Sequence, residues 1–379
     1  MGRGFSVEVI HKNRTLHRKC VDRNRIIMIR LRYMNDTNKQ IIAFFTSKDS
    51  LSSSQVHQRI SSISLITVKR RLSGLVELGV LTQSGGGRSV TYSLSKKGVL
   101  LKHIDIDSYL SLDLNDRGGS PLFNFEIFEK PYVSLFTNAE MEQLESATEA
   151  YLNNAKDADS GVHNKELLRF IIEFSWKTAQ IEGNTYDLLS TERLLRYGEK
   201  SKNNTEYEAQ MILNQKEAIE FILSDLNIWN NPTIAQLEQL HTIVGKNLDI
   251  SRNLRRGLVG IIGTNYRPLE NEFQIREALE QLFKWTQTTD NVHEKALLSV
   301  LGISYIQPFV DGNKRTARLL SNAILLSESL APLSYRSVDD RAYKEATLAF
   351  YEQNSIVPFK KLYVEQYIFA AKNYNIATS

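Results

Sequence analysis

The sequence predicts a mainly α protein: a helical body of about 200 residues behind a smaller basic head. Three observations carry that expectation. Apolar residues recur at three and four residues over nearly all of 164–379, as in "KELLRFIIEFSWKTAQIE" and "HEKALLSVLGISYI", the period of a helix with one buried face. One segment there alternates instead, "LRRGLVGIIGTNYRPLE", with three glycines and a proline near its end, and reads as a short β-hairpin flap over 257–268. Charge is uneven: residues 1–102 hold 19 Lys and Arg against 5 Asp and Glu, and the remainder 28 against 38. A head of roughly +14 therefore precedes a body of roughly −10, a signal for a polyanion partner at one end. A solvated basic surface without a partner is the alternative.

The chain of 379 residues is 42% hydrophobic and 24% charged, ordinary for two or three folded domains. Cys20 is its one cysteine, which excludes an internal disulfide and CxxC zinc sites and suits a reducing cytoplasm. No apolar run reaches the roughly 18 residues of a membrane span. The N-terminus lacks an apolar signal core with a small-residue cleavage site, so a cytoplasmic protein without a membrane partner is expected.

In the head, "RIIMIRLRY" partly alternates and suggests a short strand. "KQIIAFF" is a short helix. In "SLSSSQVHQRI" the serines suit an N-cap before Gln55. "SSIS" is a turn, and "LITVKRRLSGLVELG" is a helix with Val68, Leu72, Leu75, Val76 and Leu78 on its apolar face and Gly79 as its stop. "VLTQSGGGRSVTYSLS" reads as two strands joined by a glycine loop. This order, over about residues 38–98, resembles a winged helix-turn-helix domain. The resemblance implies that the second helix of the motif enters a DNA major groove while the wing touches backbone. Thr67, Lys69, Arg70 and Arg71 would then face DNA from the helix, and Arg88 from the wing. A winged helix used for protein contacts is the other reading.

Residues 103–163 are expected to form a linker and a helix. "NDRGGSP" carries the linker signature, Asn138 is a candidate cap for "NAEMEQLESATEAYLNNA", and "KDADSGVHN" is a further break. In the body the flap is the exception to helix; a lone two-stranded ribbon is marginal, so it must lean on the helices or await a strand partner.

The chemistry concentrates in "QPFVDGNKRTAR", residues 307–318. Gly312 permits a tight turn, after which the amides of Asn313, Lys314 and Arg315 would point out of a helix N-terminus. Arg315 and Arg318 lie three apart on one helix face and offer a fork for phosphate oxygens. Asp311 beside a polyphosphate suits Mg²⁺. Phe309 and Val310 read as core anchors. Upstream, in "TAQIEGNTYDL", Thr178 and Glu182 are four apart and Gly183 stops the helix; a glutamate at a helix C-terminus opposes the dipole and gains from a cationic partner. For both motifs an ordinary charged helix end is the alternative. His241 and His293 read as packed or helix-start residues, and Cys20 lacks the neighbours of a nucleophile.

"QPFVDGNKRTAR" is similar to the signature of Fic-domain proteins, histidine-Pro-Phe-any-Asp-Gly-Asn-Gly-Arg-any-any-Arg. "TAQIEG" resembles their inhibitory motif, Ser/Thr-any-any-any-Glu-Gly/Asn, at 178–183, and "GIIGTNYRP" resembles their flap. The resemblance covers about residues 165–360 and implies an all-α Fic-type domain over 164–379. It also implies protein AMPylation, transfer of AMP from Mg-ATP to a hydroxyl of a target protein, with the chain itself a possible target and a homodimer a possible assembly. On that pattern Asp311 would hold Mg²⁺. Gly312, Asn313, Lys314 and Arg315 would hold phosphates, and Arg318 the γ-phosphate. Thr178, Glu182 and Gly183 would form the inhibitory element, Glu182 reaching Arg318. Gly263, Thr264 and Asn265 would clamp the target backbone as an added strand.

Two positions depart from the pattern. Lys314 stands at a family glycine; the related Doc toxin branch has lysine there and transfers phosphate, which leaves the donor group open. Gln307 stands at the histidine that takes the hydroxyl proton, and an amide has no useful basicity. Impaired AMP transfer is therefore one expectation, and a nucleotide-sensing, DNA-binding pseudoenzyme is the other.

Overall fold

A computed structural model describes residues 36–45, 50–128, 135–156 and 160–376. The strand expected in "RIIMIRLRY" and the residue Cys20 lie outside these. The chain divides into two compact units, Met1–Gly98 and Val99–Ser379.

The first unit runs α1 (Asp36–Ala43), β1 (Leu51–Ser52), α2 (Ser53–Arg59), α3 (Leu65–Glu77), β2 (Leu81–Ser84) and β3 (Thr91–Leu94). Ser52 caps α2: its side chain accepts from the Gln55 amide while the Gln55 side chain takes the Ser52 N–H, a reciprocal capping box. Ser64 caps α3 one way only, its side chain accepting from the Thr67 amide. Val68, Leu72 and Leu75 are fully buried, whereas Val76 is only half-buried. Gly79 follows α3 in the left-handed region, φ +68. The sheet is antiparallel in the order β1-β3-β2, with Leu81 opposite Leu94 and Ser84 opposite Thr91. The two-residue β1 is not foreshadowed by the sequence, because its serines carry a cap signal that hides a strand.

The second unit is helical: α4 (Asn138–Lys156), α5 (Ser160–Ile181), α6 (Leu188–Tyr197), α7 (Glu206–Ser224), α8 (Ile234–Val244), α9 (Glu272–Thr288), α10 (Val292–Ile306), α11 (Asn313–Ser327), α12 (Asp340–Gln353) and α13 (Val357–Asn373). Every residue of α10 from Ala296 to Ile306 is buried, as befits a helix apolar all round. It packs on α9 and α11, while α8 and α5 pack on α11, α7 on both α5 and α8, and α4 on α13. Gly302 lets α9 approach, since a Cβ there would meet Leu282 at 2.7 Å. The link between the two central helices, 307–312, is the motif singled out above, so the core itself positions the candidate site.

Two expectations are corrected. Thr137, not Asn138, caps α4: its Oγ1 accepts the Glu140 amide at 3.2 Å and its own N–H donates to Glu140 at 2.6 Å, and that reciprocal pair displaces a lone asparagine. Helix α5 begins at Ser160, inside the stretch "KDADSGVHN" that reads as a break. The flap segment does reverse direction, with the Gly257 N–H donating to Glu270 O at 3.0 Å at its base, but that is its one internal rung. Three glycines weaken a strand by entropy and lack of packing. Its second arm bridges elsewhere instead, Arg267 lying parallel to Leu122.

Candidate active site

Helix α10 ends at Gln307, whose backbone is left-handed at φ 50 and ψ 60 and whose N–H donates to Ile303 O at 3.0 Å. The last carbonyls of a helix need donors, and Arg255 supplies them. Its Nε donates to Gln307 O at 2.6 Å and its Nη2 to Ile306 O at 3.4 Å; its amide donates to Pro308 O at 2.9 Å and its Nη1 to Gly257 O at 2.5 Å. One buried guanidinium thus ties the base of the flap to the Gln307 turn. The Gln307 side chain is engaged at both ends, Nε2 donating to Ser304 O at 2.6 Å and Oε1 accepting from Asn313 Nδ2 at 3.0 Å. Asn313 closes the loop by donating to Phe309 O and accepting the Phe309 amide, each at 2.8 Å.

Below the loop, His241 stacks on Phe309, with ring centroids 3.5 Å apart, and its Nε2 lies 2.9 Å from Asp311 O. Burial pushes the His241 pKa down to about 4. The ring is therefore neutral near pH 7 and carries its proton on Nε2, because a carbonyl can only accept. Gly312 caps α11 at φ +76, with His241 Nε2 3.4 Å from where a Cβ would stand. Among the described residues no acceptor meets the amides of Asn313, Lys314 and Arg315, so three donors and the positive end of a helix dipole open on one spot.

Arg318 is fully buried and every one of its nitrogens is engaged. Its Nε donates to Thr178 Oγ1 at 2.5 Å, Nη2 to Thr178 O at 3.0 Å and to Glu182 Oε1 at 2.8 Å, and Nη1 to Tyr343 OH at 3.3 Å. Lys314 Nζ is 3.4 Å from the other Glu182 oxygen. Burial pushes the Glu182 pKa up, but the charges of Arg318 and Lys314 outweigh it and hold the carboxyl below the usual glutamate value. Arg315 is also buried; one amino group lies 3.3 Å from Asp311 and the other, Nη1, has no partner.

Glu182, Gln307, Asp311, Asn313, Lys314 and Arg315 line a cleft of about 620 Å³, and Arg318 lies outside its lining, joined to it through Glu182. Glu182 and Gly183, the loop from Gln307 to Arg315, the flap arm Val259–Ile262, and Tyr343, Thr347 and Tyr351 of α12 form its walls. Val310, expected in the core, is instead 56% exposed on the cleft rim, because the turn at Asp311 and Gly312 carries it outward while Phe309 takes the buried place. Gly263, Thr264 and Asn265 face another way. Gly263 O accepts from Arg117, Thr264 Oγ1 from the Tyr266 amide, and Asn265 donates to Leu114 O.

Residues 231–325 match the Fic/DOC family. That segment is similar to a Fic domain. Similar proteins include the protein adenylyltransferase fic-1 of Caenorhabditis elegans, 26% identical over 208 residues, 52% of this chain and 40% of that one. The protein adenylyltransferase Fic of Nematostella vectensis is 28% identical over 171 residues, covering 44% and 40%. The chain thus spans about two fifths of the length of these curated relatives. Among solved structures, C. elegans Fic-1 superposes with a TM-score of 0.52 at 21% identity, covering 62% of this chain and 71% of that one. A Fic domain containing signaling protein from Bacteroides thetaiotaomicron gives 0.52 at 20%, covering 61% and 94%. At these identities the structural likeness establishes the fold.

The matched Fic segment begins after the 178–183 motif in sequence, yet the fold brings that motif onto Arg318. The residues of the cleft suit a nucleotide with Mg²⁺. Arg315 Nη1 is an orphaned buried donor such as a phosphate oxygen would satisfy, and Asp311, at 59% side-chain exposure, is an open carboxylate. Among the described residues no group of three or more His, Cys, Asp or Glu side chains could hold a metal ion. Sequence reasoning missed Arg255 and the structural part of His241; Arg255 adjoins Arg256, which is exposed and paired with Glu272, and nothing in the sequence separates the two. In the first unit Lys69, Arg70 and Arg88 are exposed and Arg71 is half-buried.

Proposed function

We propose that this chain is an autoinhibited protein adenylyltransferase of Fic type, moving AMP from Mg-ATP to a hydroxyl of a target protein, itself included, and slowed by Gln307. One observation carries the reading: Glu182 occupies the Arg318 guanidinium at 2.8 Å at the end of a cleft whose helix N-terminus has free amides. In this reading Asn313, Lys314 and Arg315 bind phosphate oxygens through those amides and the Arg315 fork. Asp311 would hold Mg²⁺, which supplies charge neutralisation on the phosphates. Arg318 takes the terminal phosphate once Glu182 withdraws, and the flap arm Val259–Ile262 orders the target backbone beside the cleft. Gln307 can orient a hydroxyl but cannot accept its proton, a loss of roughly 10²–10⁴ in rate.

The test is self-labelling with α-phosphate-labelled ATP. Gln307→His should raise incorporation by roughly 10²-fold or more, and Gln307→His with Glu182→Gly further still. Absence of any nucleotide transfer by the double variant sinks the enzyme reading. Label retained from the γ position but not the α position would assign phosphotransfer and a role for Lys314 in it.

A second reading has its own observation. Both ends of the Gln307 amide are spent on Ser304 and Asn313, as in a strut rather than a reagent. On this reading the Fic domain senses nucleotide, in a reducing cytoplasm, for a winged helix-turn-helix head that binds DNA through Lys69, Arg70, Arg71 and Arg88. ATP-dependent change in DNA affinity without any labelling by the Gln307→His variant would favour it.

A further inference from the structure

The linker-like stretch "NDRGGSP" is built in between the flap and the end of α12. Ser120 N–H donates to Glu352 O, the C-terminal end of α12, at 3.2 Å. Gly119 passes so close that a Cβ would stand 2.6 Å from that same oxygen, so glycine is required. From there the segment runs along the flap. The Arg267 amide donates to Pro121 O at 2.7 Å, and Asn265 Nδ2 donates to Leu114 O at 2.9 Å.

Arg117 ties these pieces together. Its Nε donates to Leu112 O at 3.2 Å and its Nη2 to Leu110 O at 3.4 Å; its Nη1 donates to the flap carbonyl of Gly263 at 3.1 Å and sits 3.5 Å from the Glu352 carboxylate. That carboxylate is 6% exposed and also accepts from Tyr109 OH at 2.6 Å. The flap needs such support. It holds three glycines and one internal rung. Tyr266 anchors one point by stacking on Tyr305 and Tyr351 and by donating from its OH to Tyr305 O at 2.8 Å; apart from that and the base at Gly257, the flap's hydrogen bonds to the rest of the fold come from residues 114–121. The opposite arm, Leu258–Ile262, makes no backbone hydrogen bond among the described residues, and its residues Val259–Ile262 line the cleft.

We propose that residues 110–122 are a strap and that Arg117 is a positioning residue for the flap. By fixing Gly263–Arg267 against the end of α12, the strap presents the unpaired arm Leu258–Ile262 in one place, ready for an extended peptide to add as a strand. Only a planar fork reaches all four acceptors at once; an ammonium does not. The peptide part rests on the reading of 257–268 as a target-binding flap, whereas the strap itself does not.

Amide exchange in the full chain tests it without requiring turnover. In Arg117→Gln the Gly257 and Arg267 amides should exchange about tenfold faster or more, as for a locally released segment, while amides of α10 and α11 keep their rates and Mg-ATP affinity by calorimetry stays within about twofold. Arg117→Lys should release the flap as well. Because Arg117→Gln leaves Glu352 buried and short of a partner, Arg117→Gln with Glu352→Gln serves as the second variant and should behave alike. Exchange at Gly257 and Arg267 matching wild type in both glutamine variants overturns the strap, as does equal acceleration throughout α10 and α11. Failure of ATP to bind wild type would remove the nucleotide reading and leave the exchange result standing.

Discussion

Gln307 occupies a left-handed backbone position, φ 50, that few side chains other than glycine accept without strain. It is held there by its own amide and by Arg255. These contacts hold the turn through hydrogen bonds alone, so its geometry does not call on basicity at position 307. The signature residues were legible because they are contiguous: glycine, asparagine and two arginines at fixed spacing suffice to place donors around a helix start. Arg255 and His241 were not, since each acts on a loop more than fifty residues away and only packing reveals it. His241 and His293 also make a prediction. Burial lowers both to a pKa of about 4 from the usual 6.5. Between those values the unfolded chain binds the extra protons, so stability is full above about pH 6.5 and falls as pH drops toward 4, by on the order of 3 kcal/mol for each group. Urea unfolding from pH 7 to pH 4 should show that slope, and His293→Asn, remote from the cleft, should flatten it by about half. A slope indifferent to that substitution would remove the histidines as its cause.

Elements were legible where periodicity was strong and hidden where pairing is non-local. Helices α5 to α11 follow three- and four-residue spacing because each buries one face or all of its surface. The flap's alternation likewise signals an extended segment. That its second arm would bridge to Leu122 could not be read, because the partner lies in a polar stretch with the composition of a linker. The end of α5 is an intermediate case: the sequence shows an unfavourable glutamate after a helix, and the fold supplies the cation. Glu182 and a terminal phosphate would compete for one guanidinium, so removal of the carboxylate should have two opposite effects. Glu182→Gln leaves Arg318 fully buried with Thr178 and Tyr343 alone as strong acceptors, and should lower unfolding free energy by about 1–3 kcal/mol. The same change should tighten Mg-ATP binding by roughly 5- to 150-fold, the usual span of a coupling free energy. Calorimetric melting with and without Mg-ATP reads both, since bound ligand raises Tm. Unchanged nucleotide affinity in Glu182→Gln would mean that the carboxylate does not guard the phosphate position.

At the scale of the whole molecule, charge is segregated along the chain, a head of roughly +14 before a body of roughly −10. The step in charge falls near residue 102 and the compact units divide after Gly98. A net charge of +4 would hide this entirely, so it is the distribution that bears on a partner. An acidic body repels a polyanion, and nucleic-acid binding, if it is a property of this chain, must come from the head. Lys69 and Arg70 stand exposed on α3 and Arg88 on the turn between β2 and β3, whereas Arg71 has a buried Nε without a partner and is less free to reach outward. Phosphate neutralisation by three or four such cations releases counterions, so affinity for an arbitrary DNA duplex should fall about 40- to 150-fold between about 50 and about 200 mM salt. Replacing Lys69, Arg70 and Arg88 together by glutamine should weaken binding at low salt and reduce the logarithmic salt slope by about one for each phosphate no longer neutralised. Fluorescence anisotropy on the full chain measures both quantities. Binding that ignores salt and ignores the triple substitution would show that the basic head is a solvated surface and would leave the cleft lined by Glu182 and Val310–Arg315 as the functional centre of the protein.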